Sequence, residues 1–219
     1  MKDIFQNMDA LIQNAGTVDP LELLDFLGTQ VVPMYGSVIG YVASFKHGVF
    51  VGYNTRQPRA SQKFTLMHEC THVIRHIPTG SFSSQHQEMA LFTIDKNIAV
   101  EEREANLCAA EYTIPTGDIL ELVGYHNTSV REYCRLKRYL DELSSAYPPP
   151  RKQLRKLSLD LKDLNLEIAS SQCIHTNEQI ARLLHYNEAF IYYKLEALRL
   201  RGYDIPQLEL PDSHAVFGM

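Results

Sequence analysis

Within the 219-residue chain, His68, Glu69 and His72 stand as His-Glu-x-x-His in the stretch from Thr65 to His76. If that stretch is helical, residues four apart share one face, and the imidazoles of His68 and His72 can close on a single metal ion. Glu69 then sits beside them, placed to take a proton from an attacking water. Those residue types at that spacing point to metal-assisted hydrolysis of an amide bond. Leu66, Val73 and Ile74 supply one apolar strip of the helix, and Phe64, Met67 and Cys70 a second. These strips argue against a surface helix that carries two histidines by chance. They predict a helix buried around much of its circumference, where His and Glu require partners, and a metal is the simplest partner for all three.

A zinc site needs a third protein donor. His76 is too far from His68, about 12 Å along a helix axis at ~1.5 Å per residue, and Zn–N bonds of about 2.1 Å do not span that. It is expected to pack, or to support a ligand from behind. The three-histidine form of the motif wants a Gly and a further His downstream, and Arg75 and Pro78 occupy those positions. The better donor lies in Glu101–Glu111, which reads as a helix whose small residues Ala105, Ala109 and Ala110 let two helices approach closely. Glu102 and Asn106 are four apart and share a face. Glu102 is the expected third ligand, and Asn106 the hydrogen-bond partner of a ligand imidazole. Glu101 and Glu104 read as ordinary first-turn carboxylates that favour the helix dipole.

Taken together, these residues resemble the ImmA/IrrE family of metallopeptidases. That family carries a T-x-x-H-E-x-x-H helix followed by an E-x-x-A-N-x-x-A-A-E-x-x-x-P helix. The chain has Thr65, His68, Glu69 and His72, then Glu102, Ala105, Asn106, Ala109, Ala110, Glu111 and Pro115. Upstream, Gly40-Tyr41-Val42 and Gly48–Asn54 resemble the strands that precede the family's active-site helix. The resemblance covers roughly residues 31–115 and returns weakly near the C-terminus. Two departures stand out: Cys70-Thr71 where Leu-Gly is frequent, and Cys108 where Phe is usual. Neither removes a ligand or the base. The resemblance implies a zinc-dependent endopeptidase, with manganese possible in vitro, that acts on a helix-turn-helix (Xre-like) repressor encoded nearby. Such cleavage relieves repression of a mobile element such as a phage, or of a stress response. Spacing and composition are silent on that substrate.

Composition sets wider bounds. With 45% hydrophobic and 21% charged residues, the chain suits one or two domains with a real core. It has no run of about 18 apolar residues, so no membrane span is expected, and its first residues lack the basic-then-apolar design of a signal peptide. Cys70, Cys108, Cys134 and Cys173 show no paired spacing, which predicts free thiols and a cytoplasmic location. The net charge of −5 is uneven: residues 131–162 hold 9 basic and 4 acidic side chains. This block includes Arg131, Arg135, Lys137, Arg138, Arg151, Lys152, Arg155 and Lys156. It could meet an acidic partner or nucleic acid, but a pair of solvated helix faces is the simpler reading.

The elements that must position the site follow from punctuation and periodicity. Residues 4–14 and 20–28 read as helices split by Gly16 and Pro20. Residues 31–35, 38–45 and 48–53 are strand-like, with a hairpin turn at Lys46-His47-Gly48. The active-site helix is expected over about 60–77, stopped by Pro78 and Gly80. A loop over 79–100 with a short apolar piece, Met89–Ile94, is expected to border the cleft. The predicted fold is α+β. A compact zincin with a small antiparallel-type sheet packed on the active-site helix spans 1–146, and an all-helical region follows over 151–219 after the break at Tyr147–Pro150. Further helices are expected near 117–124, 128–145 and 151–169. Thr176 and Gln179 form a capping box that opens a helix-turn-helix-like pair at 176–202, and the tail beyond Asp204 reads as extended or disordered. Within the pair, Arg182, Lys194, Arg199 and Arg201 are cancelled by Glu178, Glu188, Glu196 and Asp204. DNA affinity draws on neutralised phosphates, so nucleic-acid binding is not expected. The alternative is a DNA-binding or repressor-sequestering regulator with a structural or idle zinc site, but such a site needs no base and Glu69 is intact. A donor to the developing oxyanion is also expected, with His76, His86 and Tyr112 as candidates.

Overall fold

Three runs rich in β-branched and aromatic residues form the strands β1 (Gln30–Met34), β2 (Val38–Phe45) and β3 (Gly48–Asn54). A fourth, β4 (Ser84–Gln87), completes a sheet of order β1-β3-β2-β4. The computed structural model describes residues 4–46, 48–79, 84–87, 100–145, 150–170 and 175–205. The apolar piece at 89–94, most of the proline run and the tail beyond 205 lie outside these residues.

The α+β expectation holds, but the sheet is mixed rather than antiparallel throughout. β2 and β3 form the expected hairpin, with Phe45 opposite Gly48 and Val42 opposite Val51. That hairpin returns β3 in the direction of β1, and β3 lies between β1 and β2, so β1 pairs with it in parallel, Val31 opposite Val51. Asn54 secures the join: its Nδ2 donates to the Gly36 carbonyl at 2.7 Å. β4 pairs antiparallel with the other side of β2, Val42 opposite Ser84 and Gly40 opposite His86. Its sequence, Ser-Gln-His-Gln, has no apolar alternation to announce it.

The helices follow their caps. α1 (Gln6–Ala15) ends on Gly16 in the left-handed region, whose N–H donates to the Ile12 carbonyl, the conformation glycine adopts most cheaply. α2 (Pro20–Phe26) opens with Asp19 accepting from the Leu21 N–H and with Pro at its start, where a missing N–H costs nothing. α3 (Arg59–Arg75) is buried without interruption from Phe64 to His72. After it come a 3-10 turn at Ile77–Thr79, α4 (Val100–Thr113), α5 (Thr116–Leu122), α6 (Thr128–Ser144), α7 (Arg151–Ser170), α8 (Asn177–Leu184) and α9 (Glu188–Leu200). The capping box is formed: Thr176 Oγ1 accepts from the Gln179 N–H, and Gln179 Oε1 from the Thr176 N–H.

The chain divides into two compact units. One holds the residues up to Pro115 together with Ala181–Ala197; the other holds Thr116–Ile180 together with the segment from Leu198. This differs from the linear split expected at the proline run, for a physical reason. The apolar stripe of α6 needs a partner, and α7, on the far side of the prolines, supplies it: Val130, Tyr133 and Cys134 form one core with Leu161 and Ile168. Most of α9, in turn, belongs to the first unit. Phe190 stacks on Phe64 with ring centroids 3.7 Å apart. The fully buried Lys194 donates from Nζ to the Glu111 carbonyl at 2.8 Å and to its Oε2 at 2.9 Å. Arg103 pairs with Glu196. Cys70, Cys108 and Cys134 form no disulfide among the described residues, and Cys173 lies outside them. Among the described residues no helix is long and apolar enough to cross a membrane.

Candidate metal centre

The site is built where α3 and α4 run close together. Ala105, Ala109 and Ala110 are all fully buried, and with no side chain beyond Cβ they let α4 lie near α3. At that separation the short Asn106 side chain reaches His68, with Oδ1 to Nδ1 at 2.9 Å. The four-residue spacing brings His68 and His72 onto one face, and their Nε2 atoms converge to 3.0 Å. Glu102 meets them from α4, with Oε2 at 3.3 Å from His68 Nε2 and Oε1 at 3.5 Å from His72 Nε2. All three ligand atoms lie within 4.8 Å of one another, the grouping expected of a metal site. Donors about 2.0–2.2 Å from a tetrahedral ion sit roughly 3.3–3.6 Å apart, so the two imidazoles and the carboxylate fit a zinc-sized cation.

The far side of each imidazole is also tied down. While His68 Nδ1 faces Asn106, His72 Nδ1 lies 2.7 Å from His76 Nδ1. Both rings therefore present Nε2 to the cluster, and an outward hydrogen bond fixes the ring orientation of a ligand histidine. Burial pushes the His68 imidazole down to about 4, outweighing the Glu102 carboxylate that pulls the other way. His68 is thus neutral near pH 7, the state a metal ligand requires.

Glu69 lies on the same helix and is fully buried. Its carboxylate packs against β2 at Gly40, where a methyl group would come within 2.7 Å of Glu69 Oε1 and 2.4 Å of Thr65 Cγ2. Gly40 thus makes room for the Glu69 carboxylate. It is one of the residues near the cluster that motif spacing does not reveal, although a glycine inside a strand pattern is a signal of close approach.

The expected ligand set of His68, His72 and Glu102 is brought together, with Asn106 behind it. Of the candidate oxyanion donors, His76 is engaged behind His72, and the Tyr112 hydroxyl bonds Asp9 Oδ1 at 2.5 Å on α1. The backbone of His86 lies on β4 in register with Gly40, but its side chain falls outside the described residues. Glu101 is exposed, as a first-turn carboxylate should be. Glu104 differs from that expectation: its Oε2 accepts from Arg75 Nη2 at 2.7 Å and Nε at 3.2 Å.

A peptidase family model described as IrrE N-terminal-like domain matches residues 29–144, which contain His68, His72 and Glu102. No curated protein and no solved structure matches the chain significantly.

Proposed function

The chain belongs to the IrrE N-terminal-like family of metallopeptidases, and from that premise we propose that it is a zinc-dependent endopeptidase whose substrate is a helix-turn-helix (Xre-like) repressor encoded nearby. The observation that carries this reading is the convergence of His68, His72 and Glu102 beside a buried Glu69. His68, His72 and Glu102 would hold the zinc ion, which would supply Lewis acidity toward a water and the scissile carbonyl; manganese would be expected to replace it in vitro. His68 and His72 hold their Nε2 atoms in place because Asn106 and His76 occupy their Nδ1 atoms. Glu69 takes the proton of the attacking water and returns it to the leaving amine nitrogen, so the C–N bond breaks without expelling an amide anion. Close packing against Gly40 restricts where that carboxylate can move.

The repressor substrate rests on the family's known role, and with it the relief of repression of a mobile element or stress response in the cytoplasm. The burial of α9 favours a peptidase over a DNA reader. A recognition helix offers an exposed face to a groove, whereas Phe190, Ile191, Tyr193, Lys194, Ala197 and Leu198 are all buried. Glu69, which a structural or idle zinc site would not need, weighs against a purely sequestering role.

Purified protein mixed with the adjacent repressor and zinc or manganese tests the proposal by gel and mass spectrometry. Cleavage is expected. Glu69→Gln should keep its metal and lose about 10²–10⁴-fold in rate, the range of general acid–base catalysis. A repressor that stays intact with both metals would overturn the peptidase reading.

A further inference from the structure

The polar chain behind His72 extends past its first hydrogen bond. His72 Nδ1 meets His76 Nδ1 at 2.7 Å, and His76 Nε2 stands 3.5 Å from Glu104 Oε2. Glu104 is gripped by the Arg75 guanidinium, whose Nη1 donates onward to the Ile4 carbonyl at 2.9 Å. On the metal reading of His68, His72 and Glu102, we infer that His76 and Glu104 are positioning residues for His72. They form an imidazole–imidazole–carboxylate relay that selects the ring nitrogen offered to the metal.

Proton placement follows from the chemistry of the groups. A neutral imidazole carries one N–H and one lone pair. For His72 to bind a cation through Nε2, its proton must sit on Nδ1, so His72 donates and His76 Nδ1 accepts. His76 then carries its own proton on Nε2, the atom that faces Glu104. A carboxylate only accepts, so Glu104 favours this arrangement electrostatically even at 3.5 Å, longer than a good hydrogen bond. In the reverse order, His76 would donate from Nδ1 to His72 Nδ1. The His72 proton would then sit on Nε2, aimed at His68 Nε2 and Glu102, and no lone pair would remain there for a cation.

Helix geometry supplies the parts. The four-residue step that carries His76 away from the coordination sphere places it directly behind His72, where its backbone N–H also closes the helix end by donating to the His72 carbonyl at 3.0 Å. On α4, Glu104 lies between Glu102 and Asn106 in sequence, so one short stretch of helix supplies a ligand and the supports of both imidazoles. The two supports differ in kind: His68 rests on a neutral amide, His72 on a chain that ends in a charged carboxylate.

The test is zinc affinity by chelator competition, with folding checked by circular dichroism. His76→Phe removes the acceptor and should weaken zinc binding about 10–100-fold, the usual effect of losing such a support. His76→Gln offers an amide oxygen to the His72 N–H and should restore most of that loss, which a purely space-filling role would not predict. Glu104→Gln should weaken binding several-fold. Nitrogen NMR of the zinc-loaded protein should show His76 with its proton on Nε2 and a bare Nδ1. His76→Phe that binds zinc like the parent, or a His76 protonated on Nδ1, would overturn the relay. If His76→Phe does not fold, Glu104→Gln and the tautomer decide. A parent protein that binds no zinc refutes the metal reading itself, whereas a parent that binds zinc while the variants match it refutes the relay alone.

Discussion

α3 and α6 are both seventeen-residue helices, yet they are buried on opposite terms. α3 is enclosed from Phe64 through His72, polar residues included. α6 buries only Val130, Tyr133 and Cys134 and exposes Arg131, Arg135, Lys137 and Arg138. A helix needs one apolar stripe to fold onto a neighbour, and α6 does no more than that. The additional burial of α3 takes in His68, Glu69 and His72, groups that are costly to remove from water without partners. The difference singles out α3 as the helix whose burial exceeds what packing demands and whose polar residues therefore need partners.

The strongest way to break this contrast is through Gly40. Gly40→Ala places a methyl group against Glu69 Oε1 and Thr65 Cγ2. It should lower peptidase activity by at least about tenfold and stability by ~1–3 kcal/mol, the usual penalty for overpacking a tight core. Repressor cleavage and urea unfolding measure the two effects, and an unchanged rate would mean that the base tolerates displacement. Acid supplies the next test. The His68 imidazole titrates at about 4 when folded against 6.5 ordinarily. Between those values the unfolded chain binds the proton first, so the metal-free protein keeps this stability above pH 6.5 and loses it as pH falls toward 4. The loss amounts to about 3 kcal/mol across that window. Urea midpoints should fall accordingly, and His68→Gln should remove most of the slope.

Each helix also carries a thiol, which sharpens the comparison. Burial raises the Cys70 thiol to about 12 and also raises that of Cys134, but without so large a displacement. The thiolate is the reactive species, so iodoacetamide should label Cys134 in native protein well before Cys70, as read by peptide mass spectrometry. Equal rates would mean that α3 opens as readily as α6. The smallest effect belongs to Arg135, exposed and paired with Glu132 one turn away. Arg135→Ala should leave the urea midpoint and the cleavage rate unchanged within error, since such surface pairs contribute little.

What could be read from the sequence was local. His68, His72, Glu102 and Asn106 follow from four-residue spacings, and α6 from its stripe and the Asn127 cap, whose side chain accepts from Ser129 and Val130. What could not be read depends on partners distant in the chain. β4 is polar and becomes a strand only because β2 offers it a ladder. Glu104 resembles any first-turn acid until Arg75 and His76 come beside it. Lys194 counted as a surface charge in the helix-turn-helix-like pair, yet it is enclosed against Glu111, 83 positions away. The pattern of a helix pair was correct, but the surface it faces was not encoded in that pattern.

The return of α9 to the first unit has a temporal consequence. Ribosomes deliver the ligand helices first, and Ala181–Ala197 joins them only after roughly 65 further residues have followed Pro115. At about 5–20 residues per second, that interval lasts several seconds. Until it ends, the Phe64 ring has no Phe190 above it and Glu111 has no Lys194. The nascent chain thus carries His68, His72 and Glu102 before α9 can join the unit that holds them, and that unit gains its Phe190 and Lys194 contacts only when α9 has been made.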